Sequence, residues 1–336
     1  MKGVIVGAAL GMLALPISAC ADPVHGVAEL YATAERGHQG ILLNEFYLEA
    51  ETKLFKSLKA VGSLYQEPFV ELPSSRGYGY TPYGAAYTYQ DGDYKNPVLG
   101  LDETFLAYDI GGLVARAGRL RSAFGFSNWS EQHYTPIIAP PLIRSYGSQI
   151  AEGLSLDRVD RGLDFSFGTA ALQFKGGVVD TDYQPWELAP SNLDTAVGRL
   201  QASYGPFMLG LSGLKKFAGQ NAAEQSMVGM DLRWTAPRIQ VRGELVSGAT
   251  EEGGARGYYL DLYYRPVGLA RTQVGARFQG LTSIASGSHG QQMTLGIRQF
   301  VGSLFTLNVN YGFGADIPEA ATALGWSAQV LTAYRF

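Results

Sequence analysis

The chain alternates between apolar and polar positions over most of its length. "LFTLNVNYGF" sets Phe305, Leu307, Val309, Tyr311 and Phe313 on one side and Thr306, Asn308 and Asn310 on the other. "QMTLGIRQF" opposes Met293, Leu295 and Ile297 to Thr294 and Arg298. "RTQVGARFQG" opposes Val274, Ala276 and Phe278 to Arg271, Gln273, Arg277 and Gln279. "RIQVRGELV" opposes Ile239, Val241 and Leu245 to Arg238, Gln240, Arg242 and Glu244, and "MVGMDLRW" opposes Val228, Met230, Leu232 and Trp234 to Asp231 and Arg233. A period of two marks a strand whose two faces meet different surroundings.

The same reading continues upstream through "YYLDLYYR", "FMLGLSGLKKF", "AVGRLQASY", "ALQFKGGVV", "GLDFSFG", "LVARAGRLR", "DETFLAYDI", "LKAVGSLYQ", "LLNEFYLEAETK" and "HGVAELYAT". With the last segment, "AQVLTAYRF", it predicts about 16 strands, each near the ~10 residues that cross a bilayer in a barrel. The connections alternate. Gly111-Gly112, Thr169-Ala170, Gly205-Pro206, Ala236-Pro237 and Gly302-Ser303 read as tight turns, whereas Glu67 to Val98, Ala123 to Asp160 and Asp180 to Asp194 are long; "GATEEGGARG" also reads as a loop. Short turns at one end and longer loops at the other are the pattern of a transmembrane antiparallel β-barrel. Such a barrel satisfies every backbone group within the membrane. A soluble barrel this wide could not fill its interior with side chains. The expected fold is therefore all-β, with residues 22–336 forming one barrel. The last strand is expected to pair with the first, and Phe336 to face lipid at the periplasmic rim.

On the inward face the charges sort by sign. Early strands place Glu29, Glu45, Glu49 and Glu51 inward; later ones place Lys175, Arg199, Arg233, Arg238, Arg242, Arg271, Arg277 and Arg298, interspersed with Asp164, Asp231, Glu244 and Asp261. Arg116, Arg119 and Arg121 lie near the join, and a bulge at Gly118 would reconcile their parity. Ladders of Arg favour anions in a pore, so a mild anion preference is expected. The alternative is that these charges pair with one another across strands.

The third long loop carries an apolar stretch, Ile137, Ile138, Pro140, Pro141, Leu142 and Ile143. A loop so long and so apolar is expected to fold inward and narrow the pore. Trp129, His133, Tyr134, Arg144 and Tyr146 would then line the constriction; packing against a neighbouring subunit or plugging the mouth is the alternative. The second loop is rich in Tyr and Gly, suited to capping the mouth or to holding a sugar-like ligand.

Composition adds limits. The chain has 336 residues, 46% hydrophobic and only 17% charged, with 43 Gly, 20 Tyr, 16 Phe and a formal net charge of -4. This gives no basis for a nucleic-acid partner. The start reads as an export signal over residues 1–21: Lys2, then "GVIVGAALGMLALPI". Cleavage after Ala21 and a lipobox ending at Cys20 are both open. The mass of the mature N-terminus separates them: the ordinary cut is expected to yield a free Asp22, the other a lipidated Cys20. Cys20 is the only cysteine, which excludes an internal disulfide.

"GRLRSAFGFSN", running from a strand into "YTPIIAPPLIRSYG", resembles the strand-to-third-loop passage of Gram-negative outer-membrane porins, in particular the phosphate-selective-type and related families. Gly118, Arg119, Phe124, Gly125, Asn128 and Pro136 carry the likeness, with Ala123 where those families often have Pro. The resemblance implies an integral outer-membrane channel for passive diffusion of small hydrophilic solutes, often trimeric. It also implies contact with lipid and lipopolysaccharide, and insertion by the barrel-assembly machinery, which reads the terminal aromatic. Phosphate selectivity does not carry over, since only Lys175, Lys215 and Lys216 fall mid-barrel. The rival reading is a receptor, adhesin or structural barrel acting through its Tyr-rich loops.

An enzyme is not expected. Of four His residues only His133 sits where a site could form, and Ser130-Glu131-Gln132-His133 is not a spacing that builds a nucleophile and base. No His pair or Gly-rich phosphate loop suggests a metal or cofactor.

Overall fold

A computed structural model describes residues 22–35, 38–55, 57–66, 78–80, 86–88, 99–121, 123–125, 135–137, 141–144, 159–180, 193–217, 225–250, 253–283, 287, 289–302, 305–315 and 325–335. The alternating segments form β1 (Asp22–Glu35), β2 (His38–Phe55), β3 (Leu58–Gln66), β6 (Leu99–Ile110), β7 (Leu113–Arg121), β8 (Val159–Gly168), β9 (Leu172–Asp180), β10 (Thr195–Tyr204) and β11 (Phe207–Lys216). They continue as β12 (Gln225–Thr235), β13 (Ile239–Thr250), β14 (Gly253–Tyr264), β15 (Thr272–Ser283), β16 (His289–Val301), β17 (Phe305–Ala315) and β18 (Gly325–Arg335). Neighbours in sequence pair antiparallel, and β1 pairs with β18 from His25 opposite Arg335 to Glu35 opposite Gly325, closing the barrel. Closure leaves no strand edge with unpaired amides.

The faces are inside out relative to a soluble protein. On β11, Phe207, Leu209 and Leu211 are exposed while Met208 and Ser212 are buried. On β16, Leu295 and Ile297 are exposed while Gln292, Thr294 and Arg298 are buried. Leu211 is 58% exposed and Asp261 0%. Among the described residues nothing covers this outward belt of Leu, Ile, Val and Phe. It is the surface of a protein whose solvent is hydrocarbon. Aromatic rings group on this belt, as in Phe165, Phe167 and Phe174, or Tyr311 and Trp326 with centroids 4.8 Å apart.

Several expectations are corrected. "GATEEGGARG" is mostly strand: β13 and β14 stay paired to Thr250 opposite Gly253, leaving only 251–252 as the connection. Gly- and charge-rich composition reads as loop, but a hairpin extended beyond the apolar belt keeps its hydrogen bonds and loses its hydrophobic signal. Conversely, the turn side is not uniformly short, since residues 265–271 separate β14 from β15, held by Leu269 N–H to Pro266 C=O at 3.2 Å and Thr272 N–H to Leu269 C=O at 2.9 Å. No bulge occurs at Gly118. The ladder runs unbroken from Leu113 opposite Phe167 to Arg121 opposite Val159, so Arg116 and Arg119 keep opposite parity. Gly118 instead has φ +140°, and a Cβ there would run into the Thr104 carbonyl.

The register breaks lie elsewhere: between Asp22 and Val24, Glu29 and Leu30, Lys53 and Phe55, and Gly62 and Leu64. Each extra residue switches the faces beyond it, so straight alternation does not run through the acidic early strands. The second loop contains a small hairpin that periodicity does not reveal, β4 (Tyr78–Tyr80) with β5 (Ala86–Thr88).

Candidate functional site

The buried polar side chains of β10–β17 all project into the barrel, because they alternate with the exposed apolar belt. Cross-strand register brings Arg233, Arg242, Asp261, Arg277 and Thr294 into one row on five successive strands. Asp261 is the hub. It accepts hydrogen bonds from Arg242 Nε at 2.9 Å, Arg277 Nε at 2.7 Å, Arg277 Nη2 at 2.9 Å and the Tyr263 hydroxyl. The two guanidinium groups also lie over aromatic rings, Arg242 5.2 Å from Tyr263 and Arg277 5.3 Å from Tyr259. Such stacking suits the planar arginine head group.

A second pair joins Arg199 of β10 to Asp231 of β12, with Nη2 to Oδ1 at 2.8 Å. It reaches across β11 at Gly210, where a Cβ would collide with both partners. The glycine clears the path for the ion pair.

On the other side, Arg116 of β7 donates to Asp164 of β8 from Nε at 2.8 Å and also from Nη2, and lies 4.9 Å from the Phe105 ring centre. Lys175 of β9 stands 3.8 Å from the same carboxylate. Arg121 lies 3.8 Å from Glu103, and Lys59 3.2 Å from Glu51. These groups are more open than the Asp261 hub. The Lys175 side chain keeps 33% of its exposure and Lys59 43%, against 2% for Arg277.

The described pieces of the third loop lie against the lumen side of β10–β17. Ala123 and Phe124, with Leu142 and Ile143 of the short 3-10 turn Leu142–Arg144, form an apolar cluster with Val197, Met227, Val246, Ala255, Tyr259 and Leu281. Polar wall residues hold the loop backbone. Ser212 Oγ accepts from Gly125 N–H at 2.9 Å, and Gln279 Oε1 accepts from Leu142 N–H at 2.9 Å. Arg298 Nη1 donates to the Thr135 carbonyl at 3.0 Å, and Asn310 Nδ2 donates to the Pro136 carbonyl at 2.6 Å.

These positions revise the expected site residues. Arg199, Arg242, Arg277 and Arg298 are lumen-facing but buried, engaged by Asp231, Asp261 and the loop. They are wall struts rather than bare rungs of a ladder. Arg233 is half-buried beside Arg242. Arg238 and Arg271 do not sit in strands: both are exposed in turns, where their carbonyls accept from Arg265 and Phe300 N–H. The alternation ran on into residues that had already left the sheet. Arg121 joins Glu103, and Arg119 stands across from Arg161 and Thr104.

Trp129, His133, Tyr134, Tyr146, Phe336 and Cys20, with the whole stretch 1–21 expected to be an export signal, lie outside the described residues, as do the side chains of Glu29, Glu45, Glu49 and Arg144. The Asp261 hub was legible as residue types but not as a group. Among the described residues no three His, Cys, Asp or Glu side chains converge as a metal site requires.

A closed antiparallel barrel with an apolar exterior, a polar interior and loop segments 123–125, 135–137 and 141–143 against its inner wall has the fold seen in outer-membrane porins. Solved structures agree. An anion-selective porin from Comamonas acidovorans superposes with a TM-score of 0.61 at 15% identity, covering 94% of this chain and 99% of that one. OmpF of Salmonella typhi, in complex with daunomycin, gives 0.62 at 10% identity over 94% and 97%. The outer-membrane channel DcaP of Acinetobacter baumannii gives 0.58 at 10% identity over 94% and 96%. No family model matches the sequence, and no curated protein matches it.

Proposed function

We propose that this chain is an integral outer-membrane porin of a Gram-negative bacterium, a sixteen-stranded, water-filled channel for passive diffusion of small hydrophilic solutes. The observation that carries this reading is the inverted barrel, apolar outside and charged inside, with loop segments held against one lumen wall. In this reading the third loop narrows the channel. Solutes pass between it and the opposite wall, where Lys175, Arg116, Glu103 and Arg121 meet water. Passage involves no chemical step and no cofactor. The belt contacts lipid and lipopolysaccharide, insertion uses the barrel-assembly machinery, and the assembly is a homotrimer.

A mild anion preference belongs to the same proposal. Arg199, Arg233, Arg242, Arg277 and Arg298 outnumber Asp231, Glu244 and Asp261 on β10–β16, so that wall keeps a small positive excess. Buried, paired charge contributes less to a pore field than open charge, which keeps the preference small.

Planar-bilayer recording of the purified protein is expected to show discrete ohmic steps. A folded protein that gives none would exclude the channel and favour a receptor or structural barrel. In a KCl gradient the reversal potential should indicate chloride over potassium, and Lys175→Gln should move it toward the cation side. A cation-selective wild-type channel would refute the assigned preference.

A further inference from the structure

The wall beneath the third loop is notched. At Gly229 on β12, a Cβ would meet Phe124 Cε1 at 2.8 Å. At Gly257 on β14 it would meet Ile143 Cγ2 at 2.5 Å, and at Gly275 on β15 Pro136 Cγ at 2.5 Å. At Gly296 on β16 it would collide with the Pro136 carbonyl and lie 3.0 Å from Ile137 Cδ1. All four glycines share the parity of buried lumen residues: Met227 and Asp231, Ala255 and Tyr259, Arg277, and Thr294 and Arg298. None of the four has a positive φ. Turn geometry therefore does not require them; close approach of the loop does, together with the wall side chains Leu281 at Gly257, Tyr263 at Gly275 and Asn310 at Gly296. Around the notches, on β11, β15, β16 and β17, stand the polar hooks Ser212, Gln279, Arg298 and Asn310, each bonded to loop backbone.

We infer that Gly229, Gly257, Gly275 and Gly296 form a cradle that sets the depth to which the third loop seats in the lumen, and so determine the size limit for solutes. The inference rests on the pore reading for its consequence but not for its geometry. Interiors are packed too closely to absorb an added side chain at such distances. A larger residue at a notch pushes the loop off the wall. The hooks stretch or break, and the loop loses its fixed position. Whether the released loop widens the passage or moves within it, the channel no longer has one aperture.

Two readouts test this. Ile137 is 0% exposed, so Ile137→Cys, in a Cys20→Ser background, reports loop seating through labelling by a small water-soluble maleimide. Labelling is expected to be slow with the cradle intact and about tenfold faster or more with Gly296→Val, because local opening then governs access. Gly275→Leu and Gly296→Val are also expected to change single-channel conductance by about twofold or to replace its single level with several. Gly213→Val is the control: nothing lies within 4 Å of its Cβ position, and both readouts should stay as in wild type. Should the larger variants not fold, Gly257→Ala adds only a Cβ, which meets Ile143 at 2.5 Å and Leu281 at 2.8 Å, and should still raise the labelling rate. Folded cradle variants with wild-type labelling and conductance would overturn the inference. A wild-type protein that never conducts would remove the pore reading alone, because the labelling result still reports the cradle.

Discussion

Replacing Asp261 by Ala is expected to destabilise the folded barrel by about 3–5 kcal/mol, the cost of breaking a buried ionic group by removing one partner. The carboxylate is fully buried and serves three donors from two other strands and its own. Without it Arg242 and Arg277 lose their shared anion within a wall that admits little water, and their positive charges repel across the gap. The Tyr263 hydroxyl loses its acceptor as well. Asp261→Asn keeps an acceptor oxygen but not the charge, so its loss should be intermediate. Urea unfolding in lipid vesicles, followed by tryptophan fluorescence, measures both. A loss for Asp261→Ala below about 1 kcal/mol, the range of an exposed pair, would mean the hub contributes no buried ionic stability.

Arginine on the outer belt should cost a comparable amount for the opposite reason. Leu211 lies mid-strand on β11 and is 58% exposed. Leu211→Arg is expected to cost about 2–4 kcal/mol in a bilayer, as charge on the lipid face does near the midplane. Gln240→Arg, on the lumen face of β13 near the turn, should change stability by about 0.5 kcal/mol or less. The same unfolding assay compares them. Equal effects of the two substitutions would contradict the assignment of faces, and with it the membrane-spanning reading.

Both predictions depend on faces that the sequence already displays. The alternation of Met293 to Arg298, or of Val228 to Trp234, assigns each side chain to lumen or belt, because neighbouring Cβ atoms in a strand point to opposite sides. Where that alternation is interrupted the reading weakens. The bulges in β1–β3 and β6 leave no continuous period to follow. At Arg238 and Arg271 the period persists past the end of the strand.

The candidate site was legible only in part. Arg242, Asp261 and Arg277 were all identifiable as lumen residues, yet their union in one hub was not. A period of two fixes the face but leaves register free, since sliding one strand by two residues past its neighbour preserves every face and changes every cross-strand partner. The register that places Asp261 between Arg242 and Arg277 is chosen by the whole closed sheet, not by any local segment.

The loop shows the same division. Its length and its Ile137-to-Ile143 stretch require burial somewhere, because apolar side chains left in water cost free energy. They do not say against which wall. Glycines at 229, 257, 275 and 296 are unremarkable within their strands; cross-strand register sets Gly275 opposite Gly296 and places Gly229 and Gly257 on either side of Val246, each pair beneath its own piece of the loop. The sequence by itself therefore determined the element type, the inside-out faces and the need for a buried loop, since those follow from local alternation and solvent. Pairing of charges and seating of the loop were decided by tertiary structure, because they join residues of separate strands whose meeting depends on register and closure.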